Sequence, residues 1–223
     1  MSPKSRNSAA RAHRELGNEP DSAGQWSEAI KKVSSNSKQA ITLAEIVGKW
    51  GWRNESIELL WVAAKDPATG DAALRTLYQY FAKNGSTQDL YRVLLHRQEF
   101  HPDDRDVQNN VAGLSLLLGL NVDRAQKAAR DLYEKEPTNA AYVSTYAFAL
   151  HTQGDTKKAL QAMNQLTPEQ LHQPEVAAYY GIILAAAGDH ARAAEFLDLG
   201  EKAGLLTEER TLLEKARRTL ARR

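Results

Sequence analysis

Glycine recurs along this chain at a nearly constant interval. Gly51, Gly85, Gly119, Gly154 and Gly188 are spaced 34, 34, 35 and 34 positions apart. Each lies between two segments whose apolar residues return every three or four positions, the pattern of an amphipathic helix of about three turns. Glycine at that point ends the first helix by taking the left-handed backbone conformation that a Cβ disfavours. The residue opening the second helix is then expected at Asn54, Ser86, Asn121, Asp155 and Asp189, whose side-chain oxygens accept from free backbone N–H groups. Ser86 has Asp89 three positions on, in capping-box spacing.

The interval extends to side chains. Small residues fall in the first helices at Ala44, Gly113, Ala147 and Gly181, where two helices must approach closely. Leu116, Leu150 and Leu184 follow three positions after the last three of these, on the same helix face. Ala125, Ala159 and Ala193 form a third column, in the second helices. Pro67, Pro102 and Pro137 close three of the units, because proline cannot continue a helix. Several coincident columns over some 170 residues mark an all-α array of about five repeats. A chain of 223 residues is long for one globule, but in such an array each repeat packs only on its neighbours.

These columns resemble the tetratricopeptide repeat family. Its pattern is a bulky residue, a small one, a large apolar one, a turn glycine, an alanine and a closing proline. Two stretches carry it best: Tyr146-Ala147, Leu150, Gly154-Asp155, Ala159, Met163, and Tyr180-Gly181, Leu184, Gly188-Asp189, Ala193, Leu197. The resemblance covers roughly residues 37–205 and implies a right-handed superhelix of helix-turn-helix repeats. We expect repeats at 37–69, 70–104, 105–138, 139–172 and 173–206. The repeat around Gly85 departs from the pattern, with Tyr78 and Leu90 at small-residue sites.

The ends differ from the middle. Residues 22–34 form one amphipathic helix with Trp26, Ile30 and Val33 on a face, in the place of a second repeat helix, since Gly17 precedes Gly51 by 34 positions. Residues 1–16 are polar and basic, with no apolar face. Residues 1–20 therefore read as a flexible basic tail, not a secretory signal, because no apolar run follows the first charges. The array then opens on a single helix, unless the chain is the C-terminal part of a longer protein. At the far end Thr207 is expected to cap a final helix, 207–221, with Leu212, Leu213, Ala216 and Leu220 inward.

Composition narrows the function. There are no cysteines, which removes disulfides, thiolate nucleophiles and cysteine-held metals. The net charge of +1 gives no bulk attraction to nucleic acid or anionic membrane. The longest apolar stretches, Val111–Leu120 and Val176–Ala187, fall well short of the ~20 residues that span a bilayer. We expect a cytoplasmic protein. His96 and His101 are five apart, with Pro102 breaking the helix beside the second, a poor spacing for metal ligands on one helix face. No nucleophile elbow and no phosphate-cradling glycine loop is present. The arginines of Ala216–Arg223 suit a helix C-terminus electrostatically and lack the aromatic neighbours of a nucleic-acid site. No cofactor, metal or catalytic activity is expected.

The resemblance implies a groove lined by the first helices, holding a segment of a partner protein. Projecting the repeat register places Glu45 and Lys49 there, then Arg75, Gln79 and Lys83. Asn110, Leu114 and Leu117 come next, then Ser144, Phe148 and His151, and last Tyr179 and Ile182. One end is polar and basic, the other apolar and aromatic, unless the curvature of the array or the C-terminal helix covers Leu114, Phe148, Tyr179 and Ile182. The carboxylate clamp used by some relatives to hold a C-terminal tail is missing, since Arg75, Gln79, Val111, Ala141 and Thr145 stand at its positions. The function expected is an interaction scaffold with a protein or peptide partner. The alternative is a structural region that associates with its own chain or with a second copy as a homo-oligomer.

Overall fold

A computed structural model describes the backbone of residues 3–221 and the side chains from Ser8 to Ala221. Arg222 and Arg223 of the basic end lie outside the described residues, as do Met1 and Ser2. Every regular element among the described residues is a helix. Two compact units divide at Gln79 and Tyr80.

The first unit holds α1 (Pro3–Glu15), α2 (Glu19–Val33), α3 (Ser37–Lys49), α4 (Arg53–Ala63) and most of α5 (Gly70–Lys83). α1 packs on α2, and α3 on α4. The presence of α1 corrects the expectation of a flexible tail before a single leading helix. Its described residues, 8–15, carry no apolar stripe larger than alanine. Ala10 is fully buried, and its carbonyl accepts from the buried Ser22 hydroxyl at 2.8 Å. The basic residues supply the rest. The Arg14 guanidinium sits 3.9 Å from the Trp52 ring centroid and bonds Glu55 at 2.5 Å. Arg11 lies 4.9 Å from the centroid of Trp50. Trp26 and Trp50 each meet Trp52 edge to face, at 6.1 and 5.6 Å. Here cation–π contact does the work that leucine does elsewhere.

The second unit holds α6 (Thr87–Phe100), α7 (Arg105–Leu118), α8 (Val122–Lys135), α9 (Ala140–Thr152), α10 (Thr156–Met163) and the short α11 (Pro168–Leu171). It ends with α12 (Pro174–Ala187), α13 (His190–Gly200) and α14 (Thr207–Leu220). Three antiparallel pairs, α7–α8, α9–α10 and α12–α13, stack in chain order. The turn glycines have the backbone their spacing implied, with φ of 66° at Gly119, 86° at Gly154 and 83° at Gly188. Asp155 and Asp189 cap α10 and α13 through the N–H groups of Lys158 and Arg192. The other expected caps differ. Trp52, not Asn54, occupies the position before α4. Ser86 spends its hydroxyl on the Asp89 carboxylate at 2.7 Å instead of a backbone N–H. Asn121 turns left-handed at φ 48° and donates to the Tyr91 hydroxyl. Thr207 is the first residue of α14, and Glu209 bonds back to the Leu206 N–H at 2.9 Å.

The alanine column is buried where helices cross: Ala125 is 4% exposed, and Ala159 and Ala193 are fully covered. The closest crossing is α12 on α13. A Cβ on Gly181 would stand 2.8 Å from the Leu197 backbone nitrogen, and one on Gly200 only 2.5 Å from the Ala178 Cα. Both contacts are with backbone, which cannot rotate aside. Gly200 lies outside the glycine period and was invisible to it.

Two predictions follow from these contacts. Gly181→Ala and Gly200→Ala should each lower stability by about 1–3 kcal/mol through overpacking. Gly154→Ala, which has nothing within 4 Å of its Cβ, should cost about 1 kcal/mol through its backbone alone. Thermal unfolding followed by circular dichroism ranks the three, and an order with Gly154→Ala worst would refute the crossing. In the first unit, Arg14→Ala should cost about 1–2 kcal/mol. All four tryptophans lie in that unit, so their emission should shift to the red as Trp52 gains water. An unchanged spectrum and melting temperature would mean that α1 is held by its alanine contact alone.

Candidate functional site

The first-helix residues expected to line a groove fall into two sets. Glu45 and Lys49 on α3, Arg75 and Gln79 on α5, Lys83 at the end of α5 and Asn110 on α7 are exposed. The residues farther along are covered. Leu114 is 9% exposed, Ser144 6%, Phe148 4% and Ile182 7%; Leu117, His151 and Tyr179 are half-buried. Of the two expectations for this apolar half, open or covered, burial fits the second, with helix α14 packed over the clusters that hold Phe148 and Ile182.

α14 packs chiefly on α12 and also touches α13 and α7. Its first turn is beside the start of α6, where the Thr87 hydroxyl donates to Glu208. Near its other end Arg217 bonds Asp198 of α13 at 2.6 Å and lies 3.2 Å from Glu201. The helix thus crosses the face shared by α7, α9 and α12. Leu212 packs on the cluster containing Phe148 and Leu116, beside Leu117 and Tyr179. Leu213 and Ala216 enter the neighbouring cluster with Ile182.

The polar contacts at this face are specific. The Tyr179 hydroxyl donates to Glu209 at 2.6 Å, and its ring tilts on Phe148 with centroids 5.0 Å apart. Burial, and then the Glu209 charge, push the phenol well above its usual pKa, so Tyr179 stays a neutral donor. His151 faces Thr156 at 3.0 Å. Burial first, and then Lys215 of α14, hold its pKa below the ordinary 6.5. The sequence named the five apolar and aromatic residues Leu114, Leu117, Phe148, Tyr179 and Ile182 and the inward leucines of α14, but not where those leucines land. Among the described residues no group of three or more histidines and carboxylates is placed to hold a metal ion. His96 contacts Glu99 at 3.3 Å instead.

No family model matches the chain, and no curated protein matches it in sequence. Solved structures do resemble it. A tetratricopeptide repeat protein from Parabacteroides merdae ATCC 43184 aligns over 96% of this chain and 84% of its own, with 14% identity and a TM-score of 0.51. PilW, a type IV pilus biogenesis factor, aligns over 95% and 98% at 12% identity, with a TM-score of 0.44. A structure of Naa15/Naa10 bound to HypK-THB aligns over 99% of this chain and 34% of its own at 18% identity, with a TM-score of 0.41. The first shows the fold, and the two weaker likenesses add nothing to it. The chain is an all-α helical repeat protein of tetratricopeptide-like fold. No described helix is long and apolar enough to cross a membrane.

Tyr179→Phe removes a hydrogen bond to a charged group and should loosen α14 by about 1 kcal/mol or more. Hydrogen exchange is expected to quicken at α14 amides while those of α10 hold; equal rates in variant and parent would show the bond to be idle. The depressed His151 pKa sets a sign for pH. The unfolded chain takes up a proton near pH 6.5 that the folded chain resists, so this contribution is complete above 6.5 and is lost as pH falls below it. His151→Gln should flatten that acid slope in denaturant titrations, and an unchanged slope would assign it to other groups.

Proposed function

We propose that this chain is a non-catalytic, cytoplasmic interaction scaffold that holds a segment of a partner protein against the first helices of its repeats. The observation carrying this reading is that the α7, α9 and α12 face already accommodates a helix, with aromatic and aliphatic contacts at its centre and hydroxyls at its rim. Such a surface suits an amphipathic segment. On the second unit Leu114, Leu117, Phe148, Tyr179 and Ile182 supply its apolar and aromatic contacts and Ser144 and His151 its polar ones, with Lys83 and Asn110 exposed. On the first unit Glu45, Lys49, Arg75 and Gln79 supply an exposed polar set.

Affinity capture from the native cell, followed by measured binding of the captured protein, tests the reading. Phe148→Ala and Tyr179→Ala should each weaken binding by on the order of 2 kcal/mol, because aromatic anchors in a desolvated site dominate affinity. The Arg75→Ala/Lys83→Ala pair should act through association rate and salt dependence. Each variant is first checked for helicity. Parental binding by all of them would move the site off these helices, and a concentration-dependent dimer in sedimentation would favour self-association.

A further inference from the structure

α14 is held differently from the helices it covers. α12 buries nine residues from Val176 to Ala185, whereas α14 buries only Leu213 and Ala216, with Leu212 and Leu220 half-covered. Its remaining hold is polar and sits at the two ends: Thr87 and Tyr179 on Glu208 and Glu209, and Asp198 with Glu201 on Arg217. The fit is imperfect, for the Arg217 Nε is buried without a partner. α14 joins α13 through a six-residue non-helical linker, 201–206, in which Gly204 has no neighbouring atom within 4 Å of its Cβ position. Beneath it lie two neighbouring apolar clusters, one around Phe148 and one around Ile182. A helix with few buried contacts, tethered over such a face, belongs to the low-stability end of the opening spectrum.

We propose that α14 is an internal stand-in for the helix this face binds, and that the partner displaces it. This rests on the reading of the second unit as a scaffold and adds the chemistry of its ligand. That ligand is an amphipathic helix with carboxylates in its first turn to meet Thr87 and Tyr179. It carries leucines at the spacing of Leu212, Leu213 and Leu220 over the Phe148 and Ile182 clusters. An arginine near its end meets Asp198 and Glu201. Occupation by α14 lowers the partner's apparent affinity by the fraction of time the face is open.

The test uses the full chain and a fluorescein-labelled peptide of residues 203–221 added in trans, read by anisotropy. Two variants loosen α14 and leave the face intact: Glu208→Ala/Glu209→Ala, and Glu209→Ala/Leu213→Ala. A third locks it. The chain has no cysteine, and a Cβ at residue 85 would lie 3.6 Å from the Thr207 Oγ1, so Gly85→Cys/Thr207→Cys places two thiols within disulfide reach; because Gly85 has φ 66° and a side chain there is strained, the reduced variant must first match the parent in helicity. The peptide is expected to bind the loosened variants at least tenfold more tightly than the parent. It should not bind the oxidised double-cysteine chain, and binding should return on reduction, with bond formation checked by mass. A peptide with Leu213→Asp should bind none of them.

Equal binding to parent, loosened and locked chains would overturn the stand-in role and leave the scaffold reading standing. So would α14 amides that exchange only with global unfolding in both loosened variants. If exchange shows α14 open and the peptide still does not bind, the helix-binding face itself is refuted, and the scaffold reading on this unit falls with it.

Discussion

A pair of three-turn helices can bury only the stripe along which the two meet, and this constraint governs the second unit. Each helix keeps a second apolar flank that another element must cover. α9 covers α7, α12 covers α9, and the close crossings at Ala159, Ala193 and Gly181 set how near each pair can stand. The stack does not end at α13, because the faces of α7, α9 and α12 still carry Phe148, Tyr179 and Ile182 on one side. Left open, they would expose apolar side chains of the kind that promote association. α14 closes them.

The crossing geometry explains which parts of the fold were legible. A left-handed turn needs glycine, and a helix contact at backbone distance needs glycine or alanine, so both requirements leave residue-type columns at fixed spacing. Gly119, Gly154 and Gly188 and the alanines of the second helices could be read directly. Gly200 meets the same need at Ala178, yet it stands once and not at the interval, so nothing distinguished it from a loop glycine. Asn54 is not the cap of α4, because the cap position falls two residues earlier, at Trp52, whose ring packs on Trp26 and Arg14.

α1 escaped notice because hydrophobic periodicity measures only one way of docking a helix. Among its described residues Ala10 is buried, the half-buried Arg14 lies over the Trp52 ring, and the exposed Arg11 reaches Trp50. A guanidinium scores as strongly polar in any hydropathy profile, although its flat face packs on an indole and its edge still bonds a carboxylate. The signal that could have found it is the coincidence of basic residues at Arg11 and Arg14, one helical turn apart, with Trp50 and Trp52 at the next repeat's turn.

The groove residues show the limit of projecting a register. Helical phase told which side chains leave the first helices on one face, and Phe148 and Tyr179 do meet, with ring centroids 5.0 Å apart. Phase says nothing of what else in the chain prefers that face. The inward pattern of Leu212, Leu213, Ala216 and Leu220 was visible, and so was the apolar half of the groove, for which the C-terminal helix was one candidate cover. Either was complementary to the other from the start, since an amphipathic helix and an apolar face in one molecule meet at an effective concentration no free ligand matches. The weak burial of α14 then becomes informative. A cap selected for stability alone would bury its leucines as fully as α12 does. One that buries a single leucine and relies on hydroxyl and carboxylate contacts at its ends keeps the face dry while leaving it within reach of a better-fitting helix.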